Sequence, residues 1–145
     1  MIVGLVLISV QLAHLGQTGC KGTRVERRRA ELDHFLLPSR YVPTDGIVKD
    51  TTLMATAAAT SDFDKARAIY EWVVENTFRN PKIRGGGRGD IRFTLESGDL
   101  GGKCADLNAL YVGLARSVGL PARHVYGLRI AKSERATRAL DFPRT

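Results

Sequence analysis

Two stretches of the chain carry a helical rhythm of apolar positions. In the first, Ala66, Ile69, Tyr70, Val73 and Val74 recur at three- and four-residue spacing, which places them on one face of a helix. Ser61 or Asp62 can accept hydrogen bonds from the free amides that open this helix. Trp72 flanks its apolar face and is expected to pack as well, and the helix must end before Pro81. In the second, Leu107, Leu110, Tyr111, Leu114, Ala115 and Val118 form a regular stripe that starts just after Cys104. Gly119 suits the left-handed residue that closes a helix, and Pro121 follows it.

Shorter elements fill the intervals. The alanine- and threonine-rich run from Asp50 to Ala59 predicts a short helix. Asp90 is placed to cap a helical turn over Ile91 to Glu96. Gly85 to Gly89 and Ser97 to Gly102 read as loops. Ala122 to Ile130, with Val125, Tyr126, Leu128 and Ile130, reads as a strand with a possible bulge at Gly127. Residues 1–41 divide into an apolar segment, a possible signal or extra element, and a basic linker. The domain is placed at 42–133, beginning near the punctuation of Pro43 and Asp45-Gly46, and 134–145 form a tail without pattern.

The first nineteen positions are the most apolar of the chain, but the run is short for a transmembrane span, which needs about 20 apolar residues. Its length suits the apolar part of a signal peptide, yet no Lys or Arg precedes it. Localisation is thus left open between cytoplasmic and exported, and a membrane is a partner only if this segment is a signal or anchor. The 145 residues hold 22 Lys+Arg against 15 Asp+Glu, a net charge of +7. That balance attracts acidic partners without specifying them. Neither interleaved aromatics nor a recognised motif supports specific nucleic-acid binding.

Composition is ordinary for a soluble domain, with 43% hydrophobic and 26% charged residues. The two cysteines, Cys20 and Cys104, are too few for a disulfide scaffold. No CxxC pair or His/Cys cluster has metal spacing, and the glycine-rich run matches no phosphate-binding spacing, so no metal or cofactor is implied. Arg88-Gly89-Asp90 spells an adhesion tripeptide, a match short enough to arise by chance.

Cys104 is the residue with the strongest chemical setting. It follows Gly101-Gly102-Lys103 and stands at the start of a helix, where unpaired amides and the helix dipole carry partial positive charge. Such a position favours a thiolate and aims amides at an oxyanion. The glycines are expected to turn the backbone tightly and leave room for a substrate chain, and Lys103 adds a charge that may be directed to solvent. On this ground alone a nucleophile and a buried inert thiol remain equally open.

The segment GGKCADLNALYVGLARSVGLPARHVYGLRI resembles the nucleophile segment of bacterial transglutaminase-like domain proteins, and DFDKARAIYEWVVENTFRNPKIRGGGRGDIRFTLESGDL resembles the helix and loop that lead into it. With VPTDGIVKDT upstream, the resemblance covers residues 42–133. It implies an α+β, papain-like fold in which the nucleophile helix packs on an antiparallel sheet, here incomplete, behind a helix-rich N-terminal part. It also implies acyl transfer or hydrolysis at amide bonds of a protein or peptide substrate through a Cys-His-Asp triad, with Cys104 as the nucleophile and no cofactor.

The other two triad members do not follow. In the family they lie on the strands after the segment that ends near Ser133, whereas residues 134–145 contain no histidine and lose the pattern. A frameshift, a premature stop or a mispredicted gene end would each produce this. His124 lies in the strand after the helix, where the family does not place its base, and reads as a sheet histidine. Asp106 reads as a first-turn acid favoured by the helix dipole. The sequence therefore leads to a C-terminally truncated cysteine acyltransferase or peptidase with impaired chemistry. The alternative is a non-catalytic remnant or protein-binding module of the same fold.

Overall fold

The computed structural model describes residues 31–126 and the strands Ile130–Lys132 and Arg138–Leu140. The apolar segment 1–19, Cys20, the basic linker up to residue 30 and Gly127 lie outside the described residues. The elements are a 3-10 turn at His34–Leu36 and helices α1 (Ile47–Ala55), α2 (Asp62–Asn76), α3 (Ile91–Ser97) and α4 (Cys104–Ser117). Between them lie strands β1 (Phe78–Arg79) and β2 (Gly101–Gly102), with β3 (Ile130–Lys132) and β4 (Arg138–Leu140) after α4. The architecture is α+β, and it is helix-rich before Cys104, as expected.

Helix α4 is the centre of the core, packed against α1, α2 and α3. Every residue from Ala109 to Ala115 is buried, and Leu110 and Leu114 have no solvent exposure. The stripe read from the sequence is therefore one side of a helix enclosed all round in its middle turns. Burying each of these leucines contributes about 1.5–3 kcal/mol. Gly113 explains how α3 comes so close: a Cβ there would overlap Ile91, which is itself buried.

Polar groups join the helices where apolar packing alone would leave them unpaired. Thr52 of α1 is fully buried, and its hydroxyl donates to the Val48 carbonyl at 2.8 Å. The Ser117 hydroxyl of α4 lies 2.7 Å from Thr52 Oγ1. Tyr111 Oη donates to the Ala66 carbonyl at 3.3 Å, tying α4 to α2, and burial pushes its phenol up.

Helix α2 is narrower in its buried face than its periodicity suggests. Ala66, Ile69 and Val73 are buried and Trp72 packs against them, whereas Tyr70 and Val74 stay exposed. Its start is a capping box: Asp64 N–H donates to Ser61 Oγ, and Asp64 Oδ2 accepts the Ser61 amide. Asp90 caps α3 by accepting the Phe93 amide at 3.2 Å, as its position predicts. At the end of α4, Gly119 has φ 81°, the Leu120 amide donates to Ala115 O, and the Gly119 amide donates to Arg116 O. That pair of bonds is a Schellman closure around a left-handed glycine.

The strands differ from the expected strand over 122–130. Residues 121–126 have no regular structure, and a strand at Ile130–Lys132 pairs antiparallel with Arg138–Leu140. The 121–126 segment is held by other means. Ala122 N–H donates to Phe35 O, and Arg116 donates from Nε to Ala122 O and from Nη1 to Leu37 O, both at 2.8 Å. The amide and carbonyl of Ala122 are thus taken by the turn and by a guanidinium rather than by a neighbouring strand. The other pairing, β1 with β2, is parallel. Among the described residues no helix is long and apolar enough to cross a membrane.

Candidate active site

Cys104 is the first residue of α4 and is exposed. What precedes it is not the tight turn expected of Gly101-Gly102. The two glycines are extended and pair in parallel with Phe78 and Arg79, continued by the Asn80 amide donating to Gly102 O at 2.9 Å. Space favours glycine there: a Cβ at Gly102 would come within 2.8 Å of Asp106 Cβ, and one at Gly101 would meet the tip of the exposed Phe78 ring, which would have to swing aside. Lys103 is also not directed to bulk solvent, since only 7% of it is exposed.

Asp106 does more than a first-turn acid. Its Oδ2 accepts the Lys103 amide at 2.9 Å, and its Oδ1 accepts the amides of Arg88 at 2.8 Å and Gly89 at 2.7 Å. Lysine has no acceptor to return the bond, so only half of a capping box forms at Lys103. The remaining carboxylate capacity holds the glycine-rich loop. Gly87, at φ 98°, lies so close to that carboxylate that a Cβ would overlap it. The sequence signal was an acid three residues after the cap position, together with a run of glycines that matched no phosphate loop.

The same loop occupies one amide of the helix start. Ala105 N–H donates to Gly86 O at 2.8 Å. Among the described residues the Cys104 and Asp106 amides meet no acceptor, so these two donors remain at the head of α4. Asn108 Nδ2 donates to the Cys104 carbonyl at 2.6 Å.

His124 is half-buried and not hydrogen-bonded to Cys104. Its Nδ1 lies 3.2 Å from Tyr126 Oη, and the two rings stack with centroids 5.7 Å apart. Burial, and then the nearby Arg116 charge, push the His124 imidazole down from 6.5. The Tyr126 phenol is pushed up by burial, then by the negative charges of Asp106 and of ionised Cys104. His34 stacks edge-on against Phe35 in the 3-10 turn, and His14 lies outside the described residues. No histidine–carboxylate pair is present among the described residues, and no three His, Cys, Asp or Glu side chains gather there as a metal ion would require.

An exposed cysteine thus heads a buried helix, behind a glycine pair and a helix-rich lead-in. The family model of the Transglutaminase-like superfamily matches residues 49–142, which includes all four helices but the first two residues of α1 and extends past Ser133 to β4. The chain belongs to the transglutaminase-like superfamily, and its fold is a partial α+β core of that kind. It is also similar to an uncharacterized protein of Haemophilus influenzae, with 36% identity over 105 residues. That similarity covers 72% of this chain but 28% of the relative, so the chain spans well under half of the curated protein it matches. No solved structure matches.

Proposed function

We propose that this chain carries the nucleophile of a transglutaminase-like cysteine acyltransferase or peptidase acting on amide bonds. Cys104 Sγ, as thiolate, adds to the carbonyl carbon, and the oxyanion is received at the head of α4, where two amides meet no acceptor among the described residues. The carbon–nitrogen bond then breaks, the amine leaves with a proton, and the thioester passes its acyl group to an amine or to water. The carrying observation is the exposed Cys104 at the first position of α4 within the matched family core.

The proton is the weak point. An unactivated amine leaves only when protonated, and no imidazole is bonded to Cys104 Sγ among the described residues. These residues on their own are therefore an impaired enzyme. The lack of a histidine–carboxylate pair among the described residues favours, as a second reading, a non-catalytic remnant or protein-binding module of the same fold.

Acylation by p-nitrophenyl acetate separates the parts of this reading, because nitrophenolate leaves without a proton. Cys104 should be acylated, as read by intact mass and by a nitrophenolate burst that Cys104→Ala abolishes, while a glutamine peptide amide shows no turnover. A burst unchanged in Cys104→Ala would remove the nucleophile. Repeated turnover of the peptide amide would remove the impairment.

A further inference from the structure

The loop between β1 and α3 is fastened on both sides of Cys104. Before the cysteine, Arg79 pairs with Gly102 and the Asn80 amide donates to Gly102 O. After it, Gly86 O receives the Ala105 amide, and the Arg88 and Gly89 amides reach Asp106. Residues 80–89 thus form a strap over the start of α4, with Lys82 and Arg84 between its anchors.

The strap is strongly basic. Arg79, Lys82, Arg84 and Arg88 are all exposed, and among the described residues none of them pairs with a carboxylate. Arg92, just beyond, is paired with Asp45 at 2.9 Å. The acids nearby accept backbone amides and pair with none of these cations, though their charges offset part of the total: Asp90 caps α3, Asp99 accepts the Gly101 amide, and Asp106 accepts three amides. Lys103, buried and without a carboxylate partner among the described residues, adds to the same sign.

Resting on the nucleophile reading above, we propose that this strap is the specificity element of the site and selects acidic peptides, those with carboxylate side chains flanking the attacked amide. Lys82, Arg84 and Arg88, with Arg79 at the strap's base, have no carboxylate partner among the described residues and with Lys103 outnumber Asp90, Asp99 and Asp106, which sets a net positive field where such a peptide must lie. A negative substrate gains from that field in encounter and in register, and a basic one is repelled.

The chain's overall positive charge also attracts acidic peptides, so the probe must report the field at the sulfur itself. Iodoacetate and iodoacetamide alkylate the same thiol and differ by one negative charge. Their rate ratio at Cys104, followed by peptide mass, should exceed that of 2-mercaptoethanol by about 3- to 10-fold at low salt, given several charges roughly a Debye length away. The excess should largely vanish in about 0.5 M salt. Arg84→Glu/Arg88→Glu should abolish it, and Lys49→Glu/Lys65→Glu, which changes net charge equally on other helices, should leave it in place. A ratio no higher than that of 2-mercaptoethanol overturns the proposal, and so does an equal fall in both double variants. Since alkylation needs no base, these outcomes stand apart from the acylation result: a Cys104 that acylates but shows no charge preference keeps the nucleophile and loses the strap's role.

Discussion

The Asp106 carboxylate and the Arg88 amide, 18 positions apart in sequence, meet at 2.8 Å at the head of α4. One side chain thereby closes the helix start onto Lys103 and holds the basic strap against it. The Arg88–Gly89 end of the strap is therefore held by a residue two places along the helix from Cys104, beside the Gly86 carbonyl's bond to the Ala105 amide.

Replacing Asp106 by Ala removes all three acceptors. Hydrogen bonds to a charged group contribute about 1.5–3 kcal/mol each when buried and less when exposed, and these are only partly buried. A net loss of about 1–3 kcal/mol is expected in urea unfolding. Backbone amide exchange at Arg88 and Gly89 should accelerate well beyond the global change. Exchange unchanged at both amides would show that the carboxylate does not hold the strap.

The helices were legible in the sequence because their starts and stops are local chemistry. Ser61, Asp90 and Gly119 act where their residue types predict, and Cys104 heads α4 as its position after Gly101-Gly102 suggests. What was not legible depends on neighbours far away in sequence. Tyr70 and Val74 fit the helical period but face outward, because α4 covers only the Ala66, Ile69 and Val73 side. Gly101-Gly102 reads as a flexible turn, yet its glycines answer to the Phe78 ring and to Asp106. The apolar alternation through Val125 and Tyr126 suggests a strand, but an arginine and a turn supply the hydrogen bonds of that segment. At the site, the sequence placed Cys104 at a helix start but did not single out the Asp106 carboxylate that arranges its surroundings, since an acid in a first helical turn is ordinary.

Thr52 tests how much of the core depends on polar closure. Its hydroxyl is buried between Val48 O and Ser117 Oγ, so Thr52→Val keeps the shape while leaving the Ser117 hydroxyl one partner fewer. The expected cost is about 1–2 kcal/mol, because Ser117 retains its bond to Leu114 O at 2.8 Å. Thr52→Val/Ser117→Ala removes both partners and should recover part of that loss. A double variant as unstable as the sum of the singles would show that the two hydroxyls do not act as a pair.

His124 gives the fold an acid-side sensitivity whose sign follows from its surroundings. Burial and the Arg116 charge hold its folded pKa below the ordinary 6.5, so below that pH the unfolded chain binds the proton more readily. Its contribution to stability is therefore full above about 6.5 and declines as pH falls from there to the folded pKa, below which it changes no further. The imidazole resonances should titrate with a midpoint below 6.5. His124→Gln should flatten the fall in urea midpoint between about pH 6.5 and pH 5 relative to the parent chain. A midpoint at or above 6.5 would mean that the segment bearing His124 does not pack beside Arg116 in solution.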